Sequence, residues 1–227
     1  MATEDDWHQW AINPSRSAPT PPYNPTLDFL PPMARRRLGH SARMMLDAAW
    51  PLLSVDERVP VVYASHDGEI NRSVELWLSL LRDQQVSPTA FGLSVHNALV
   101  GQWSMLRNDM SESTALCDRE DGFELAMLEA CTMLNEGARK VLVLVSDDPL
   151  SANHAIAAIR APFSYAAAFV VEAGEQWTLA RTSHHDPQPE SESSYWGALD
   201  WIAQYLQGRQ RIERTSSRCR WQWDKRP

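Results

Sequence analysis

Cys117, in Ser113-Thr-Ala-Leu-Cys-Asp-Arg-Glu-Asp-Gly122, is the side chain of this sequence with the clearest nucleophilic potential. A helical pattern follows it, and the N–H groups of a helix start favour a thiolate. Asp118, Glu120 and Asp121 flank it, and nearby carboxylates push a thiol the other way. A nucleophile also needs a base in hydrogen-bond reach and donors for an oxyanion. His96, in Ser94-Val-His-Asn97, is the candidate base. Two readings stay open: acyl transfer through Cys117 with His96, or a half-buried structural cysteine beside a histidine that packs or bonds at an interface. His184-His-Asp186 has the residue types of a metal or acid/base cluster. Adjacent residues of an extended segment point opposite ways, however, and the Pro- and Ser-rich setting reads as a solvated loop. His66-Asp-Gly-Glu69 reads as a loop and helix cap. No Gly-rich phosphate loop, HExxH or GxSxG occurs, so nucleotide and simple hydrolase chemistry lack a motif, and neither metal nor cofactor is expected.

Elements of an α/β fold must position these groups. Phe123, Ala126, Met127, Ala130, Cys131 and Leu134 recur at helical spacing, with Gly137 as the C-cap and Cys131 expected in the core. Val141 to Val145 suits a strand covered on both faces. Before them, the patterns predict a helix over 32–50, a strand over 59–64, and a helix over 69–82 with Val74, Trp77, Leu78 and Leu81 inward. A second helical pattern spans 91–107, and a short strand spans about 112–116. After them, 165–172 and 176–182 read as the strands of a hairpin, and 194–207 as a last helix with Trp196, Leu199, Ile202, Ala203 and Leu206. Helices interleaved with buried strands imply layers.

Residues 1–32 are proline-rich and read as an extended arm with interleaved aromatics, 33–208 as the domain, and 209–227 as a basic tail. The tail crowds Arg209, Arg211, Arg214, Arg218, Arg220, Lys225 and Arg226. It is read as a solvated, partly disordered tail or as a landing site for an acidic partner such as an acyl carrier protein. The net charge of −8 argues against nucleic acid. No run approaches the ~20 apolar residues of a membrane span, and the acidic N-terminus leads into no signal-like segment. The three cysteines, Cys117, Cys131 and Cys219, are widely spaced, which suggests reduced thiols and a cytoplasmic protein.

The blocks Leu30-Pro-Pro-Met-Ala-Arg-Arg-Arg-Leu38, Ser87-Pro-Thr-Ala-Phe91, Ser94-Val-His-Asn-Ala98 with Gly101 and Ser104, Ser113-Thr-Ala115, Leu128-Glu-Ala130 and 141–149 carry a resemblance over roughly residues 28–182. The chain resembles the N-terminal half of a β-ketoacyl synthase of the thiolase fold. More narrowly, it resembles the short chain-length-factor-like proteins of aryl polyene and related type II polyketide or fatty acid pathways. The resemblance implies a layered thiolase-like α/β fold, the N-terminal half only, with a mixed sheet and a C-terminal hairpin. It also implies a full-length ketosynthase partner, with an acyl carrier protein docking transiently. Family synthases hold a nucleophilic Cys at the start of the helix after a Thr-Ala pair, and the second half supplies histidines. Here Leu116 follows Thr114-Ala115, counting back from Gly137 puts the nucleophile position nearer Glu120, and the second half with its histidines is missing. The turn is thus a degenerate nucleophile turn, and a non-catalytic subunit is expected. By the same resemblance, the strand 112–116 pairs antiparallel with the partner. Phe91, Ser94, His96, Asn97, Trp103, Ser113, Thr114 and Ala115 are interface candidates, with Trp77 a possible anchor. Met110, Leu116 and Cys117 are acyl-pocket candidates. A lone half would expose the apolar surface that its missing half covers. A stand-alone acyltransferase using Cys117 and a homodimeric acyl-binding module are the alternatives.

Overall fold

The apolar run 141–145 forms the middle of β3 (Lys140–Asp147), and the main sheet is built outward from it. The computed structural model describes residues 3–14, 22–117, 120–151, 153–154, 161–184 and 197–226. β1 (Val61–Ala64) pairs with β3 in parallel, and β2 (Ser113–Leu116) pairs in parallel with β1. β4 (Tyr165–Glu172) pairs with β3 antiparallel, giving a mixed sheet in the order β2-β1-β3-β4. Strand alternation divides its residues between two cores. Val61, Tyr63, Leu142 and Leu144 pack with α3 (His40–Ala49) and α6 (Ala98–Arg107). Val62, Ala64, Val141, Val143 and Val145 pack with α7 (Gly122–Asn135) and α8 (Gly197–Leu206).

A second, antiparallel sheet has the order β5-β7-β6, from Trp177–Ser183, Cys219–Lys225 and Arg211–Thr215. Aromatic rings hold α7 and α8 between the sheets. Phe123 of α7 lies 5.4 Å from Phe169 of β4 and 5.7 Å from Trp223 of β7. Trp201 of α8 lies 5.8 Å from Phe169 and 5.5 Å from Trp223. The molecule is therefore layered helix, sheet, helix, sheet. Among the described residues, no helix is long and apolar enough to cross a membrane.

Several elements differ from expectation, each for a local reason. Residues 4–12 form a helix, α1 (Glu4–Ile12), because Thr3 and Asp6 cap it reciprocally and the prolines begin only past its end. It docks on α8, with the Trp10 ring 6.1 Å edge-on from Phe163 and Gln207 Nε2 donating to the Ala11 carbonyl at 2.6 Å. The 32–50 helix is two, α2 (Pro32–Arg35) and α3, parted at Gly39. A Cβ at Gly39 would stand 3.0 Å from both Arg72 Nη2 and Glu69 Oε2, so glycine lets α3 begin against the start of α4 (Ile70–Asp83). The 91–107 pattern is α5 (Pro88–Gly92) and α6, separated by a turn that holds His96.

The strands at 165–172 and 177–183 exist but do not pair with each other; β5 pairs with β7. The basic segment after Gly208 supplies β6 and β7, because Ile212, Arg214, Cys219, Trp221 and Trp223 alternate into the interior. Cys131 is exposed, while its neighbours Ala130 and Met133 face the core. No residue of α4 is buried, and neither core includes it. Trp196 and the stretch 185–196 lie outside the described residues.

Candidate functional site

The C-terminal ends of β1, β2 and β3 meet at one edge of the main sheet. The chain leaves β1 toward β2 on one side and reaches β3 on the other, which makes this a topological switch point. Asp147, buried at the end of β3, organises it. Its Oδ1 accepts from the Ser65 hydroxyl at 2.9 Å, His66 N at 2.8 Å and Asp67 N at 3.3 Å, and Tyr165 OH donates to Oδ2 at 3.2 Å. Burial raises its carboxyl above the ordinary range, opposed by the bonds from Ser65, His66 and Asp67. The loop it fixes turns through Gly68 at φ +54, where a Cβ would come within 2.8 Å of His96 Nδ1. His96 therefore packs on glycine, and its Nε2 donates to the Leu116 carbonyl at 2.8 Å. Cys117, exposed, donates its Sγ–H to the His66 carbonyl at 3.3 Å. Among the described residues, no group of three or more His, Cys, Asp and Glu could hold a metal ion. His184 lies at the end of β5, where its N–H meets the Arg218 carbonyl at 3.0 Å, and His185 and Asp186 lie outside the described residues.

The first turn of α7 is closed by the C-terminal hairpin. Arg214 of β6, 7% exposed, donates Nε to Glu124 Oε1 at 2.7 Å and Nη2 to Glu124 Oε2 at 3.0 Å, a bidentate pair. Its Nη2 also donates to the Glu120 carbonyl and stands 3.9 Å from Asp121. Burial alone would lower this guanidinium. The charge and hydrogen bonds of Glu124, with Asp200 and Asp121, more than offset that and raise it. Burial pushes the nearby Asp200 carboxyl up to about 6, against the pull of Arg214. Between β6 and β7, Ser217 donates its N–H at 2.7 Å and its hydroxyl at 2.6 Å to Glu120 Oε2, and Ser216 donates to Asp121 Oδ2 at 3.3 Å. None of Arg214, Ser216 and Ser217 was singled out for this turn from the sequence. The available signal was the every-other-residue pattern of Cys219, Trp221 and Trp223, which marks a half-buried strand and thus a folded tail.

β2 presents the opposite situation. It is the edge of the main sheet, and Glu112 O and Leu116 O accept from β1 side N–H groups, so residues 112, 114 and 116 face β1. Ser113, Ala115 and Cys117 then turn their backbone groups to the open side. Ser113 is exposed, Thr114 donates to Glu129 Oε1 at 3.1 Å, and Ala115 and Leu116 are half-buried. Of the other interface candidates, Phe91 is 61% exposed, Asn97 is exposed, and Ser94 is half-buried with its hydroxyl on the Phe91 carbonyl. Trp103 is a correction. It is 1% exposed, packed edge-on to Trp50 at 5.9 Å with Arg107 over its ring, and offers nothing to a partner. Met110 is 91% exposed but precedes β2, while Leu116 and Cys117 end it. At the rise of an extended chain they stand on the order of 20 Å apart, at opposite ends of the strand.

Four of the seven cations of the C-terminal segment are already spent on carboxylates: Arg211 on Asp224, Arg214 on Glu124, Arg220 on Glu213 and Arg226 on Glu175. That weakens the reading of this segment as a landing site for an acidic partner.

Residues 7–224 match the model of the β-ketoacyl synthase N-terminal domain. The chain belongs to that family. Among solved structures, a chain of the ketosynthase ApeO in complex with its chain length factor ApeC, from Xenorhabdus doucetiae, superposes with a TM-score of 0.82. It is 25% identical over 98% of this chain and 93% of its own length. A chain of the ishigamide ketosynthase/chain length factor gives a TM-score of 0.56 at 15% identity, over 67% of this chain and 51% of that one. A β-ketoacyl synthase from Burkholderia phymatum gives 0.56 at 14%, over 89% and 62%. These last two carry the fold alone. No curated protein matches the sequence. The expected layered, thiolase-like α/β fold with its mixed sheet is the fold the chain has, and its C-terminal hairpin is β6 with β7 rather than the expected 165–182 pair. Within this β-ketoacyl synthase N-terminal domain, the turn expected to be degenerate holds Glu120 at 7% exposure, bonded to Ser217.

Proposed function

We propose that this chain is the non-catalytic, chain-length-factor-like subunit of a ketosynthase pair. A full-length ketosynthase supplies the nucleophile and the histidines, and elongates carrier-bound acyl or polyene chains by decarboxylative Claisen condensation. An acyl carrier protein docks transiently. The observation that carries the reading is the first turn of α7. Where a family nucleophile would stand, Glu120 is buried and bound by Ser217, and a carboxylate held this way has no path to an acyl thioester. Support also comes from the similarity, over nearly the full length of both, to a chain of a ketosynthase–chain length factor complex.

The open side of β2 is the proposed joint, pairing antiparallel with the corresponding strand of the partner. Antiparallel pairing would set the Met110 end of β2 against the end of the partner strand from which its nucleophile turn departs. Met110, rather than Leu116 or Cys117, is then the residue of this chain proposed to shape the partner's acyl pocket. The test is a pull-down with the tagged chain from its native cell extract, followed by mass spectrometry. A full-length ketosynthase at near one-to-one stoichiometry is expected. A chain recovered alone, or only with itself, sinks the reading.

A further inference from the structure

We infer that Asp109 and Asp147 are positioning residues: they clamp the two ends of β2 to β1, so that its open side meets the partner strand in one register. This deepens the pairing proposed above and rests on it. β2 is four residues long, has no fully buried residue and, among the described residues, pairs with β1 alone. An edge strand with so little packing has a weakly specified register, and a slip of one residue turns every side chain to the other face. Yet both ends of this strand are tied down by buried carboxylates, Asp109 at 4% and Asp147 at 5% exposure.

At the start, Asp109 follows Asn108, the left-handed cap of α6 at φ +50. Its backbone N–H donates to the Ser104 carbonyl at 2.9 Å, and the Ser104 hydroxyl donates to its carbonyl. From that fixed point its side chain spans both strands. Oδ2 accepts from Val59 N at 3.3 Å, just ahead of β1, and Oδ1 accepts from Ser111 N at 2.9 Å, just ahead of β2. At the far end the tie is indirect. Asp147 Oδ1 holds the Ser65 hydroxyl, His66 N and Asp67 N, and the loop so fixed directs two donors to one acceptor. Ser65 N donates to the Leu116 carbonyl at 3.2 Å, and His96 Nε2, its ring seated on Gly68, donates to the same oxygen at 2.8 Å. A buried carboxylate is costly unless donors surround it. Here the donors come from the segments that flank β1 and β2, so what the two groups supply is the relative placement of those strands. Both side chains are buried, so neither acts by touching the partner. A strand ordered in advance spares the complex the cost of ordering it.

The experiment measures association and dissociation rates, using as probe the ketosynthase recovered with the wild type. Asp147→Ala and Asp109→Asn should each slow association about tenfold, as for a strand whose paired register is about one-tenth populated, and should leave dissociation within about twofold, because the partner holds the strand once bound. Asp109→Asn leaves one acceptor for two N–H groups, whereas Asp147→Asn keeps an oxygen for the three loop donors and should restore the wild-type rate. A lower urea midpoint with unchanged association of the folded chain makes the two groups structural only; it overturns the inference and leaves the β2 pairing standing. Faster dissociation at unchanged association is the mark of a lost contact and also overturns it. Should Asp147→Ala not fold, Ser65→Ala, which removes one donor to Asp147, carries the same prediction beside Asp109→Asn. Failure of the wild type to hold any ketosynthase removes the pairing itself, and the inference with it.

Discussion

The first turn of α7 and the outer edge of β2 are neighbours in sequence, yet one is closed by this chain and the other is left open. At the turn, Glu120, Asp121 and Glu124 each meet a donor from the C-terminal hairpin, and Phe123, Trp201 and Trp223 pack together behind it. At the edge, Ser113 and Ala115 turn backbone groups outward, and Met110, just before the strand, is 91% exposed. A lone half of a thiolase-type fold was expected to leave bare the face its second half covers. Here α8 and the β5-β7-β6 sheet cover that face of α7 instead. What stays open is the outer edge of β2, and an edge strand with unpaired backbone groups is a template for pairing. Among the described residues, the chain thus covers α7 itself and leaves the outer edge of β2 unpaired.

The largest effect expected from breaking this contrast is at Arg214. Arg214→Met removes the cation that Glu124 and Asp121 face in a dry site. Loss of one partner of a buried pair costs about 3–5 kcal/mol. Urea unfolding followed by tryptophan fluorescence should show it. Replacing Glu124 by Leu in the same chain should recover part of the loss, because no uncompensated charge is left behind. If Arg214→Met alone changes stability by less than ~1 kcal/mol, the hairpin does not close the turn in the way described.

How much of this was legible in the sequence differs by element. The run 141–145 and the spacing of Phe123, Ala126, Met127 and Ala130 are strong periodic signals, and both elements stand where the periodicity put them. The edge position of β2 follows from resemblance, since a four-residue strand has too little pattern of its own. The C-terminal segment was misread because arginines dominate its composition, while strand burial depends on alternation. Arg214 points inward and Arg220 outward, and only the register with β7 separates them. Trp77 was misplaced for the opposite reason: periodicity shows that a helix has an apolar face and is silent on what covers it. Glu120 was located by counting within the family pattern, but its bond to Ser217 links residues far apart in the chain and has no local signature.

A middle-sized effect is expected at Asp200, on the closed side. Its carboxyl is held up to about 6 in the folded chain, above its unfolded value near 4. A raised carboxyl favours the folded state below the unfolded value, and that contribution is lost as pH rises through the folded one. At pH 8 the wild type therefore carries an ionised, partly buried group at a cost, and Asp200→Asn should be more stable by about 1–3 kcal/mol. Below pH 4 the difference should vanish. Denaturant midpoints of both proteins across pH 4–8 check the sign; a variant that is less stable at pH 8 would mean that attraction to Arg214 outweighs burial. On the open side, Ala115→Pro should leave the stability of the chain alone within about 1 kcal/mol, because that N–H faces away from β1. The same substitution should abolish capture of the ketosynthase. Equal capture would move the joint away from β2.

The smallest effect is expected at Cys117, which lies between the two regions. Its sulfur is exposed and donates to the His66 carbonyl, and His96 spends its Nε2–H on the Leu116 carbonyl. Iodoacetamide at pH 7 should label Cys117 at the rate of an ordinary exposed thiol, and should reach Cys219, buried at the start of β7, only on unfolding. Cys117→Ala should leave elongation by the reconstituted pair unchanged. Rapid, pH-independent alkylation near neutrality, or an acyl group trapped on this sulfur during turnover, would instead make the chain an acyltransferase in its own right. The two proteins differ by a single sulfur at a solvent-facing strand end, so a loss of product in Cys117→Ala could not be charged to the fold.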